Sequence, residues 1–173
     1  MSEVLYEDLE AAVSSVLEDL RGINELYPTQ MELLSSLLGK ESIFFTSATN
    51  SGKTLPCVIF PQILDNLIGM GYGFSPGKVL FVTNLNSIQL SMVGTMKEIG
   101  VKCAAITAEN FVEVLASDIK VIFIGPEVIK LPLVSKCLLS HRCDFQLKCI
   151  DEAHLGMSIL TLNNTIENTK KLN

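Results

Sequence analysis

Between residues 42 and 151 short, dense apolar runs alternate with longer segments whose apolar positions recur every three or four residues. The runs are SIFFTS (42–47), KVLFVT (78–83), VKCAAIT (101–107), KVIFIG (120–125) and FQLKCID (145–151). Each is short and rich in Val, Ile and Phe, the pattern of strands buried on both faces. The longer segments, 53–68, 86–99, 109–116 and 127–139, read as helices. The second, 86–99, runs up to Gly100, a natural stop. Ahead of the first run, Leu5, Leu9, Val13, Val16 and Leu20 form one stripe with acids between them, which predicts a helix over 4–20. A further helix is expected from Pro28, a residue favoured in a first turn, to Gly39. GMGYGFSPG (69–77) reads as a glycine-rich surface loop. Strands alternating with helices imply βαβ units, a parallel sheet and a single layered α/β sandwich.

Composition narrows this picture without redirecting it. A chain of 173 residues, 48% hydrophobic, suits one compact domain with a sizeable core. No apolar run approaches the length that crosses a bilayer, so no membrane is expected. The start, MSEVLYEDLE, is acidic and lacks the basic-then-apolar pattern of a signal peptide, and a soluble intracellular protein is the expectation. Cys57, Cys103, Cys137, Cys143 and Cys149 have no C-x-x-C spacing and sit mostly in apolar runs. They read as small buried residues rather than metal ligands or disulfides. A net charge of −6 argues against a strong general grip on nucleic acid, since no Lys/Arg run marks a basic face.

Chemistry enters at SATNSGKT (47–54), which lies between an expected strand and an expected helix. It follows the G-x-x-x-x-G-K-[ST] phosphate-loop pattern, with Ser47 in the place of the first glycine. In such a loop successive backbone N–H groups face phosphate oxygens, helped by the positive end of the next helix. Thr49, Asn50, Ser51 and Gly52 would supply that cradle. Gly52 would leave the backbone bare where the phosphate approaches. Lys53 would neutralise the β- and γ-phosphates, and Thr54 would place its hydroxyl on Mg²⁺. Asn50 stands in mid-loop and is among the few non-glycine residues that adopt a left-handed backbone readily.

The second centre is KCIDEAH (148–154), with Asp151 and Glu152 at the end of the last apolar run. An open parallel sheet presents catalytic groups beyond the carboxyl ends of its strands. Two adjacent carboxylates suit two tasks there. Asp151 would hold Mg²⁺ through water, and Glu152 would orient and deprotonate the attacking water.

Together these motifs make the chain resemble superfamily 2 helicases, most closely the RecQ-like group. YPTQMELLSSLLGKESIFFTSATNSGKT is similar to that family's glutamine-bearing motif followed by motif I, and CIDEAH to motif II. VLFVTNLNSIQLSMVGTMKEIGV resembles the segment around motif Ia, and VIFIGPEVI a later T-P-E segment with Gly125 for Thr. The resemblance covers roughly residues 20 to 155. It implies a three-layer RecA-like P-loop NTPase domain with a mainly parallel sheet, incomplete at its C-terminus. It also implies ATP and Mg²⁺ as cofactors, DNA as partner, and a nuclear or cytoplasmic location. Gln30 would hydrogen-bond the adenine edge, since an amide donates and accepts at once. His154 would couple the nucleotide site to a neighbouring domain.

The departures from the family pattern carry expectations of their own. Ile23 stands where the family stacks an aromatic ring on adenine, with Tyr27 as the available substitute. Thr83-Asn84 replaces the S-P that touches the nucleic-acid backbone. After DEAH the aromatic-rich loop is missing, as are motif III and the second domain with its arginine. The loss of motif III is expected to leave a gap in the sheet, which the SILTL stretch (158–162) would be placed to fill. The expected organisation is an acidic amphipathic helix (1–22), a partial ATP-binding domain (23–157) and a non-family tail (158–173). Such a chain is expected to bind ATP weakly, to hydrolyse it negligibly and not to unwind DNA alone. Two alternatives stay open. One is a non-catalytic interaction module whose acidic N-terminal helix docks a protein partner. The other is a non-helicase NTPase that assembles so that Arg142 reaches a neighbour.

Overall fold

The computed structural model describes residues 4–39, 43, 52–83, 86–140 and 144–150. They form α1 (Tyr6–Glu18), α2 (Pro28–Leu38), α3 (Thr54–Gly69), β1 (Lys78–Val82), α4 (Asn86–Glu98), β2 (Cys103–Ile106), α5 (Phe111–Ala116), β3 (Val121–Ile124), α6 (Pro126–Ile129), α7 (Pro132–Ser140) and β4 (Phe145–Ile150). The four strands make one sheet in the order β2-β3-β1-β4, and every pairing is parallel. The α/β class and the parallel sheet are therefore as the pattern predicts. The expected strand over 42–47, the DEAH segment and the tail lie outside the described residues, as does the expected gap in the sheet.

The sheet separates two apolar cores, because successive side chains on a strand point to opposite faces. Val79, Phe81, Val121, Phe123 and Cys103 face a larger core that α1, α2, α3 and α4 complete. Leu80, Val82, Ile122, Ile124 and Ile106 face a smaller one, closed by α5, α6 and α7. Phe81 and Phe123 meet with ring centroids 5.4 Å apart, in the range of favourable aromatic pairs. In β1 all residues but Lys78 are buried, and in β3 all are, as strands covered on both faces require.

β4 departs from that expectation, for its burial alternates and Gln146, Lys148 and Ile150 are exposed. The register explains the alternation. Lys78 pairs with Phe145 but Val79 pairs with Leu147, so Gln146 is an inserted bulge residue. Beyond the bulge Leu147 and Cys149 join the larger core, and Phe145 belongs to the smaller one. Lys148 and Ile150 share the face of Leu80 and Val82. Gly77 sits where the chain enters this region, and a Cβ there would overlap the Gln146 side chain and stand 3.0 Å from the Asp144 carbonyl. A glycine is what lets the bulged strand approach.

The helices also refine the reading. The expected helix over 127–139 is two, because Pro132 disfavours a helical conformation at Leu131 and cannot donate into a continuous ladder. The segment 107–110 is a turn: Thr107 N–H donates to Asn110 Oδ1 (2.8 Å), and Asn110 Nδ2 donates to the Ala105 carbonyl (3.0 Å). Asn110 thus spends its side chain on β2 and α5 starts one residue later. α1 is integral to the larger core through Leu9, Ala12, Val13, Val16 and Leu17. It is tied to α3 by Asn66 Nδ2 donating to the Ala12 carbonyl (3.1 Å). Its start is fastened by Tyr72, whose hydroxyl donates to Asp8 Oδ2 (2.5 Å) and accepts from Leu5 N–H (3.1 Å).

Candidate functional site

The start of α3 and the start of α2 meet at one atom, the carbonyl oxygen of Gly52. Gly52 has φ +71, a left-handed conformation that glycine adopts without strain. Its carbonyl accepts from Leu55 N–H at 3.1 Å, which begins the helix, and from Gln30 Nε2 at 2.9 Å. The Gln30 side chain is held at its other end as well. Tyr27, the residue preceding α2, donates its N–H to Gln30 Oε1 at 2.8 Å, and Gln30 N–H donates back to the Tyr27 carbonyl at 2.9 Å. These bonds satisfy backbone groups that a helix start leaves open. Gln30 is only 3% exposed and, with Thr83, is one of the two buried polar residues among those described. The backbone conformation favours glycine there, and a Cβ on Gly52 would stand 2.6 Å from Gln30 Nε2 and displace that amide.

Lys53 follows as the residue that caps α3, half-buried, and its carbonyl accepts a weak bond from Cys57 Sγ at 3.9 Å. Thr54, also half-buried, is the first residue of the helix. This helix end receives no cap hydrogen bond from the Lys53 side chain. Its leading N–H groups and the helix dipole favour an anion, and the Lys53 ammonium adds a full charge. Pro56 falls in the first turn, where a missing N–H costs little.

Of the sequence-predicted site residues, the structure brings Gln30, Gly52, Lys53 and Thr54 together, although 22 residues separate Gln30 from Gly52. Thr49, Asn50, Ser51, Asp151, Glu152 and His154 lie outside the described residues. The expected task of Gln30 needs restating. Its amide carbonyl and one amide N–H are engaged within the chain, which leaves it one N–H and one lone pair. The sequence reading missed this capping role, although the signal was present: a glutamine three residues after a helix-preceding position, with Pro between. Tyr27, the available stacking ring, is 64% exposed beside this pair. Among the described residues no group of three His, Cys, Asp or Glu side chains could hold a metal ion. A Mg²⁺ site would rest on Thr54 and, outside them, on Asp151.

Thr83 directly follows β1 at the same end of the sheet, with its N–H on the Ile124 carbonyl at 3.1 Å. At the far end of the strands lies a cleft of about 410 Å³ lined by Asp19, Asp65, Gly100, Lys102, Asp118 and Lys120 among others. Lys120 pairs there with Asp65. Asp65 is twelve residues along α3 from Lys53, roughly 18 Å at 1.5 Å per residue. The cleft is therefore separate from the Gly52–Thr54 corner.

Among the described residues Cys57, Cys103, Cys137 and Cys149 take part in no disulfide. No helix among the described residues is long and apolar enough to cross a membrane. No family model matches the chain.

Proposed function

We propose that this chain is an ATP-binding domain of the RecQ-like helicase class, with the nucleotide phosphates at the start of α3. The observation that carries the reading is the Gln30–Gly52 hydrogen bond, which joins the glutamine-bearing segment to the phosphate-loop segment. A parallel sheet flanked by helices on both faces is compatible with a RecA-like domain. On this reading Lys53 faces the β- and γ-phosphates, Thr54 and Asp151 hold Mg²⁺, and Glu152 activates water. His154 would signal to an adjoining domain, and Thr49, Asn50 and Ser51 complete the cradle. ATP supplies the transferable phosphoryl group. The residues here hold and orient it.

Binding and turnover separate in this chain. Transition-state charge on a transferring phosphoryl group calls for an arginine, worth several orders of magnitude in rate. The sequence has two, Arg21 and Arg142. Arg21 follows α1 at the end of the sheet away from Gly52, its N–H bonded to the Ile99 carbonyl at 3.0 Å. Arg142 lies outside the described residues. We expect ATP binding with negligible hydrolysis and no unwinding by these residues alone. Equilibrium titration with a fluorescent ATP analogue, competed by ATP and by GTP, tests the first part. Competition by ATP that Lys53→Ala abolishes supports it, and indifference to both nucleotides refutes it. Turnover stimulated by DNA in a steady-state ATPase assay would refute the second part. Leu9, Val13 and Val16 of the α1 stripe are buried in the larger core, so the alternative in which this acidic helix docks a partner rests on its outer face, with Leu5 and Tyr6 exposed at its start.

A further inference from the structure

We infer that Gln30 is a positioning residue of the phosphate-binding corner, setting the backbone at Gly52 whether or not a base is present; this rests on the nucleotide-binding reading above. A primary amide removed from water must find partners or lose free energy. Gln30 finds them within the chain, in the Tyr27 N–H and the Gly52 carbonyl. The side chain is thus already fixed at both ends by backbone.

What it fixes is the residue directly before Lys53. Gly52 turns left-handed at φ +71, and its carbonyl takes both the Gln30 amide and the first helical N–H, that of Leu55. Two donors on one oxygen hold that peptide plane more firmly than one. The plane sets the direction in which the α3 N–H groups and the Lys53 side chain leave the loop. The fit is tight, since a single added carbon on Gly52 would meet Gln30 Nε2 at 2.6 Å. A residue that only read the base would have no reason to lie against Gly52.

The idea separates from base recognition by using a ligand without a base. The probe is Mg²⁺-tripolyphosphate, titrated calorimetrically into the whole chain beside ATP. The variants are Gln30→Glu and Gln30→Leu, with Lys53→Ala as reference. Gln30→Glu retains an acceptor for the Tyr27 N–H and so preserves the cap of α2, but in its ionised form cannot donate to Gly52. Wild type is expected to bind tripolyphosphate, Lys53→Ala to lose it, and both Gln30 variants to weaken it at least tenfold. Amide hydrogen exchange adds a readout that needs no ligand. Leu55 N–H, bonded to the Gly52 carbonyl, should exchange at least tenfold faster in both variants, while Ile63 and Leu64 in the same helix keep their rates.

Gln30 variants that bind tripolyphosphate like wild type and lose only ATP would overturn the inference and leave the nucleotide reading intact. Unchanged Leu55 exchange in both variants would overturn it too, with or without a ligand. Wild type that binds neither tripolyphosphate nor ATP defeats the nucleotide reading and this inference with it. Wild type that binds ATP but not tripolyphosphate overturns the inference alone, because a preset corner accepts phosphates without a base.

Discussion

Gly52 and Gln30 show how two ordinary residues become interdependent once folded. The glycine is needed for a left-handed backbone and again for the amide packed on it. Gly52→Ala should therefore cost about 1–3 kcal/mol. In a domain of this size that lowers Tm by very roughly 2–9 °C, readable in a thermal melt. Gly77→Ala makes the same kind of demand at the β4 bulge and should also destabilise by about 1–3 kcal/mol, without touching the candidate site. Comparing the two in a nucleotide titration separates loss of fold from loss of site. Cys103 gives a pH test. Burial raises its thiol pKa above the ordinary 9.0, against a smaller opposing effect of Lys97. The folded chain thus keeps a proton that the unfolded chain releases. This contribution is fully present below about pH 9 and fades as pH rises through the folded value. The denaturation midpoint should fall with pH above 9, and less steeply in Cys103→Val.

Among the elements, α5 is the clearest case of a short helix held from outside. Its six residues are too few to persist alone. Lys78, at the start of β1, donates from Nζ to the carbonyls of Leu115 and Ser117, each at 2.7 Å, and so caps the helix end with a cation. Burial lowers the Lys78 pKa, while Asp144 and Asp118 oppose that effect. Lys78→Met should cost about 1–3 kcal/mol and raise hydrogen exchange in 111–117 before it does so in α3. Nothing in the sequence announced this contact, because Lys78 reads locally as the polar edge of a strand. The strand cores at 79–82 and 121–124 were legible, since continuous Val, Ile, Leu and Phe leave few other solutions. The break at Pro132 is legible in the sequence, since proline cannot continue a helical ladder, although the apolar spacing runs on across it. The β4 bulge was not legible, for it depends on how Gly77 and Gln146 meet across strands. At the site, the Lys53 corner was read from one local motif. Its tie to Gln30 needed the fold, because periodicity says nothing about contacts 22 residues apart.

At the scale of the whole molecule, parallel strands place their carboxyl ends, α3's first turn and the Gln30 cap on one side. The mixed-charge cleft at the other ends of the strands has Lys120 paired with Asp65. On the proposed reading the Gly52–Thr54 corner binds the phosphates of ATP. The most direct test is a thermal melt of the whole chain with and without Mg²⁺ and a non-hydrolysable ATP analogue, beside Lys53→Ala. A ligand that binds only the folded state raises Tm by mass action, by about 2.7 kcal/mol of added stability at a hundredfold excess over Kd. The account predicts a cooperative melt that shifts upward with nucleotide in wild type and stays put in Lys53→Ala. A cooperative wild-type melt that saturating nucleotide leaves unmoved, or an equal shift in the variant, would contradict it.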